Sequence, residues 1–195
     1  MIPSAPLRIL IVAALCIAGL IFLVAREGMA RDAGAEALLA MEAVDPRALL
    51  QGHYVIVDIR ERLEPGERCP PGVAEPAGWI ALRRDGEAYR VAAATTTRAL
   101  ALQRGDLAVL GDYYCQEPIP EQPDLPAQPG WVSIDIGTDR YYASQQQALR
   151  IERVLREQNT GEPGRVFAIV SIGPDGRARL RGLMVDGERL ELGWS

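Results

Sequence analysis

The sequence predicts a mainly β, β-rich α+β fold: antiparallel sheet(s) with one amphipathic helix, preceded by an N-terminal transmembrane helix. Three observations carry this reading. Ile9 to Ala25 runs for 17 residues without a charge. Beyond it, short stretches alternate apolar and polar residues and are separated by Asp-Gly pairs and proline-rich breaks, the pattern of strands and turns. A single later segment, Ser144 to Gly161, places apolar residues at helical spacing. The chain divides accordingly into a signal anchor over 1–30, a stalk or linker over 31–45, and a β-rich extracytoplasmic domain over 46–195.

As a helix, Ile9 to Ala25 spans about 25 Å at ~1.5 Å per residue, at the short end for a bilayer core of about 30 Å. Eleven of its residues are Ile, Leu, Val or Phe, so insertion gains about 3 to 7 kcal/mol. Two readings compete: a retained anchor, and a cleaved signal peptide with "GMA" at Gly28 to Ala30 as the cleavage site. Cleaved signals have apolar cores of about 7–15 residues, and this longer run favours the anchor. Arginines flank both ends, so charge hardly decides orientation. An uncleaved N-terminal span usually exports the domain behind it. The expectation is therefore an inner (cytoplasmic) membrane protein with one span and a periplasmic C-terminal domain. Cys16 lies in mid-span behind Leu15 and reads as an apolar residue rather than a lipidation site.

Arg31 to Met41, "RDAGAEALLAM", has helix-forming composition and reads as a stalk continuing from the span. Asp45-Pro46 breaks it. Pro46 to Gly52 can form a short helical turn. "HYVIVDIR", His53 to Arg60, alternates as a half-buried strand with Val55, Val57 and Ile59 on one face. Leu63 to Gly78, with four prolines and three glycines, is a loop. Trp79 to Thr95 is a hairpin turning at Asp85-Gly86, and "DLAVLGDYY" is a further strand. Gln116 to Gly130 carries five prolines and is extended and solvated. "WVSIDIG" alternates again. In the following helix Ser144 is the N-cap and Ala148, Ile151 and Leu155 line one face. The tail is a meander with turns at Pro174-Asp175-Gly176 and Asp186-Gly187. The count is about eight strands against one helix after the anchor.

Several chemistries lack their residues. There is no lysine, which removes Schiff bases, Ser-Lys dyads and P-loops. A net charge of −5, with basic and acidic residues interleaved, does not suit a nucleic-acid binder. A triad would have to use His53, the sole histidine, with Ser133, Ser144, Ser171 or Ser195, none of them in a nucleophile elbow. No cluster of metal ligands stands out. Glu61, Glu64 and Glu67 read as solvated loop charge. Cys69 and Cys115 are candidates for a disulfide in an oxidising compartment. Trp79, Trp131, Tyr141 and Tyr142 are candidates for an aromatic contact surface, set against ordinary core packing.

"VDPRALLQGHYVIVDI" resembles the opening of the bacterial family named for its GDYXXLXY motif. The motif residues here are Asp45, Pro46, Arg47, Gly52, His53 and Tyr54. The family's closing hairpin is matched by Pro174, Asp175, Gly176, Gly182, Leu183, Asp186 and Gly187. Arg140 to Ser144 stands where the family has an aromatic pair before an acidic stretch. His53 replaces the motif's aspartate, Val57 its leucine and Ile59 its second tyrosine. Gln145, Gln146 and Gln147 replace the acids. The resemblance implies one span and a β-rich domain, and no activity. The strand lead-in "LLQGHYVIV" also resembles the β core of signal-peptidase-like proteases, whose Ser-Lys dyad is impossible here.

The functional expectation is a non-enzymatic, membrane-anchored envelope protein, an interaction or assembly module accessory to an integral membrane complex, needing no cofactor and no metal. The alternative is an extracytoplasmic domain binding an apolar or glycan-like ligand. A hydrolase using His53 comes third.

Overall fold

The computed structural model describes residues 5–42, 54–64, 66–72, 78–121, 126–138, 140–160 and 166–191. Asp45, Pro46, Arg47, Gly52 and His53 lie outside them, as does the helical turn expected from Pro46 to Gly52. Helix α1, Ala5–Asp32, has 28 residues and is about 42 Å long at ~1.5 Å per residue. Its stretch Ile9–Asp32 is long and apolar enough to cross a membrane, and its apolar window buries nothing against the rest of the chain.

The helix does not continue as a stalk. Ala33 donates to the Met29 carbonyl at 3.0 Å, and Gly34 follows, where a Cβ would lie 2.1 Å from Ser171 Oγ. Strand β1, Ala35–Ala40, then enters the main sheet at once. The helical expectation over Arg31 to Met41 is thereby corrected. Ala37, Leu39 and Met41 alternate into the core. Strand pairing on both sides outweighs a helix propensity worth only tenths of a kcal/mol per residue.

The remaining elements are β2 (Tyr54–Ile56), β3 (Ile59–Leu63), β4 (Gly78–Asp85), β5 (Ala88–Thr95), α2 (Arg98–Arg104), β6 (Leu107–Gln116), β7 (Gly130–Asp135), β8 (Arg140–Tyr142), α3 (Gln145–Thr160), β9 (Val166–Ile172), β10 (Ala178–Val185) and β11 (Glu188–Glu191). The main sheet has nine strands in the order β11-β10-β9-β1-β5-β4-β6-β7-β3. β1 is antiparallel to β9 and touches β5 in parallel at Leu39↔Tyr89, so the sheet is mixed. The run expected as one strand from His53 to Arg60 is split at Val57-Asp58, and β2 pairs with β8 in a separate ribbon. Its alternation survives the split: Val55, Val57 and Ile59 are all buried.

The sheet returns on itself. Met41 bridges Ile59 antiparallel, and Glu42 donates to the Asp58 carbonyl at 3.3 Å. β1, β5, β4, β6, β7 and β3 thus form a ring closed at one seam, with β9 to β11 extending from β1. One apolar cluster fills it, including Leu39, Ile80, Leu82, Val109, Val132 and Leu183. The segment 66–72 is laced to this ring. Cys69 is bonded to Cys115 on β6, their Cα atoms 5.9 Å apart. Tyr113 Oη donates to the Pro70 carbonyl at 2.7 Å.

Helix α2 is absent from the sequence-based expectation. Its seven residues are too few for a period to register. It is capped by Thr97, whose hydroxyl accepts from Leu100 N–H at 3.4 Å, and it sets Ala101 against Ala81, Ala93 and Ala108. Helix α3 starts as expected. Ser144 Oγ accepts from Gln147 N–H at 3.3 Å while Gln147 Oε1 accepts from Ser144 N–H at 3.1 Å, a capping box. Ile151 and Leu155 are buried. Near its end Gln158 donates to the Met41 carbonyl at 2.8 Å and accepts from Val166 N–H at 3.1 Å, tying β1 to β9.

Candidate functional site

The outer face of β6, β7 and β3 follows from strand alternation. On β7, Val132 and Ile134 point into the core, so Trp131, Ser133 and Asp135 point out. Register extends this face across three strands. Ser133 lies opposite Tyr114 and Arg60, and Trp131 lies opposite Gln116 and Arg62. The Arg60 guanidinium stacks 4.5 Å from the Trp131 ring centroid and pairs with Asp58 at 3.3 Å. Ser133 Oγ donates to Asp58 at 3.4 Å. Burial pushes the Asp58 carboxyl above its ordinary value, and Arg60 opposes the shift. Tyr114 is 55% exposed. At the end of this face is a groove of about 320 Å³ reaching Asp58, Tyr114, Ser133, Asp135 and Thr138.

The seam of the ring holds a second constellation. Ile59, Glu61 and Leu63 share the inward face of β3, so Glu61 carries a carboxylate toward the core. Its side chain is only 13% exposed, and it lies 3.6 Å from Arg90. The Val91 N–H also donates to it, and burial holds its carboxyl above the ordinary value despite both partners. Arg90 pairs further with Glu67 at 3.2 Å. Glu67 is held below its usual range by the Glu64 N–H first and by Arg90 second. The reading of Glu61 as solvated loop charge is therefore corrected. Its signal was present in the sequence: the stripe Val55, Val57, Ile59 leads to position 61 two residues on.

Clefts of about 340 and 410 Å³ adjoin this seam and share Glu61, Asp85 and Arg90. Part of their charge is paired internally. Arg62 pairs with Glu42 at 3.0 Å and Arg90 with Glu61 and Glu67. Glu61 acts as a rivet, satisfying an edge N–H of β5 where the ring is least well paired.

The proposed aromatic surface is not assembled as expected. Tyr141 is buried, 2% exposed, opposite Val55. Its hydroxyl reaches the Leu190 carbonyl at 3.5 Å. Trp79 packs beneath the β9–β10 turn, where a Cβ on Gly176 would lie 2.3 Å from its ring. Tyr142 is exposed on the separate ribbon, opposite Tyr54. Of the four, Trp131 alone stands on the part of the outer face formed by β6, β7 and β3, diagonally across from Tyr114. Of the candidate serines, Ser133 bonds Asp58, Ser144 caps α3, and Ser171 is buried without a hydrogen-bond partner; Ser195 lies outside the described residues. Among the described residues no three His, Cys, Asp or Glu side chains gather to hold a metal.

No curated protein and no solved structure matches the chain. The family model described as "GDYXXLXY protein" matches residues 16–183. That span takes in most of α1, the motif region and the closing hairpin as far as Leu183, and by it the chain belongs to the GDYXXLXY protein family.

Proposed function

We propose that the protein is a non-enzymatic, membrane-anchored envelope module, an accessory to an integral membrane complex. In this reading α1 spans the inner membrane and the β domain lies in the periplasm. The observation that carries it is the joint between α1 and the sheet. Glu27 pairs with Arg179 on β10, Arg31 reaches the Arg181 carbonyl at 3.5 Å, and β1 begins three residues after α1 ends. A domain joined to its span in this way is held at one height beside the bilayer. That geometry suits lateral contact with a neighbouring membrane protein better than capture of a distant partner. The outer face of β6, β7 and β3 offers tryptophan, tyrosine and arginine, the residue types that dominate binding hot spots.

The test is purification of the full chain from its native membrane in mild detergent. An integral membrane protein should co-purify in stoichiometric amount, and Trp131→Ala with Arg62→Ala should release it. A reporter active only in the periplasm, fused after the β domain, should be active. Recovery of the protein alone, or an inactive reporter, sinks the reading.

A further inference from the structure

The groove between Tyr114 and Thr138 differs from the two charged clefts. Its lining includes the half-buried Ile56 and the exposed Tyr114, beside the buried Ile134 and Ile136. Its polar groups are few: Asp58, Ser133, Asp135 and Thr138. Three are already engaged, since Ser133 donates to Asp58 at 3.4 Å, Arg60 pairs with Asp58 at 3.3 Å, and Asp135 accepts from Gly137 N–H at 3.0 Å; the Asp58 carboxylate keeps acceptor sites beyond these two. The Thr138 hydroxyl is buried and has no hydrogen-bond partner. Because Thr138 lines the groove, a turn of its side chain would bring that hydroxyl within reach of a ligand atom that completes it.

We propose that this groove binds a saccharide ring, with Tyr114 against its C–H face and Asp58 and Thr138 engaging its hydroxyls. The chemistry selects the ligand class by elimination. An ionised carboxylate only accepts, whereas a threonine hydroxyl both donates and accepts. Ligand hydroxyls serve both. A purely apolar ligand would desolvate Asp58 and leave Thr138 unpaired. An anionic ligand would face Asp58 and Asp135 together. A cation is less needed, because Arg60 supplies the counter-charge to Asp58 at 3.3 Å. A pyranose combines apolar ring faces with a rim of hydroxyls, which matches an exposed tyrosine beside Ile56 and isolated polar groups. The groove's 320 Å³ lies at the small end of ligand sites, about 300–1,000 Å³. This site goes beyond the assembly reading and holds whether or not a membrane partner co-purifies.

The experiment uses the full chain in lipid nanodiscs, free of sugar-based detergents. Chitotetraose, maltotetraose and cellotetraose are titrated by saturation-transfer NMR, with pentalysine and decanoate as cationic and apolar probes. At least one tetrasaccharide should bind. Tyr114→Ala should weaken it about tenfold and the near-isosteric Thr138→Val several-fold. Tyr142→Ala, an exposed tyrosine outside the groove, should leave binding unchanged, and all three variants should melt within error of the parent. The proposal is overturned if no tetrasaccharide binds with a Kd below about 10 mM, if Tyr114→Ala and Thr138→Val bind like the parent, or if pentalysine or decanoate binds in their place.

Discussion

Gly78-Trp79 on β4 and Gly130-Trp131 on β7 open the two strands that flank β6. Trp79 lies opposite Leu110 and Trp131 opposite Gln116. Leu110 and Gln116 are six positions apart on β6, so both tryptophans face the same way. Their surroundings differ. Trp79 lies under the turn at Gly176, whose carbonyl accepts from Leu110 N–H at 2.8 Å, and beside the alanine cluster of α2. Trp131, half-buried like Trp79, carries the Arg60 guanidinium instead. The same dipeptide on the two strands either side of β6 thus gives a packing residue in one place and a contact residue in the other. What separates them is a turn about a hundred positions away and a seven-residue helix, neither of which is visible from the dipeptide.

The largest expected effect is on the open half. Cys69 and Cys115 are 46 positions apart. Replacing both by serine should cost about 4 kcal/mol by the loop-entropy argument, read as a lower melting temperature. Loss of under 1 kcal/mol would mean that packing alone holds this half, as it does the covered one.

Next is Gly176→Val on the covered half. Position 176 has φ of 79°, where a β-branched residue is strained, and the new Cβ would meet the Trp79 ring. Together these should cost about 3 kcal/mol. An unchanged melting temperature would show that the turn does not cover Trp79 in solution.

The tryptophans themselves test the comparison directly. Trp79→Ala should cost about 2 kcal/mol, less than the removal of a fully buried aromatic. Trp131→Ala should cost less, about 1 kcal/mol, the scale of the cation–π contact it loses. Equal losses in denaturant titration would remove the distinction between the two halves.

The smallest effect concerns Glu61. Its folded carboxyl sits above the ordinary glutamate value of 4.5 because burial outweighs Arg90. A raised folded pKa gives stability that is complete below the unfolded pKa and is lost as pH rises through the folded one. Glu61→Gln should therefore raise the melting temperature slightly at neutral pH, and the gain should fade as pH falls toward 4. A variant less stable than the parent at pH 7 would mean that the pair with Arg90 outweighs the burial.

Much of the fold was legible because its signals are local. The apolar run announced α1, Asp85-Gly86 and Asp186-Gly187 announced hairpins, and Ser144 with Gln147 announced the start of α3. The disulfide partners were the two cysteines outside the apolar run. The site was less legible. Glu61 sits in a readable alternation, but between two arginines it reads as solvated charge. Tyr114 could not be told from Tyr113, since adjacent strand residues point to opposite faces and only burial of the strand says which face is which. Thr138 and Asp58 meet in one groove only because β3 and β7 pair.

By itself the sequence determined the apolar helix, the strand and turn punctuation and the family, since periodicity, turn chemistry and motif are properties of neighbours in the chain. The tertiary structure decided three further points. Ala35–Ala40 became a strand inside the sheet rather than a stalk, because unpaired edges of β5 and β9 were available to it. Glu61 became a seam rivet, because β5 presents an N–H there. Trp79 and Trp131 are both half-buried but against different neighbours, because α2 and the Gly176 turn pack on one half of the face and Arg60 reaches over the other. Each depends on which distant segment arrives to pair or to cover, a contact between residues far apart in the chain that no local pattern encodes.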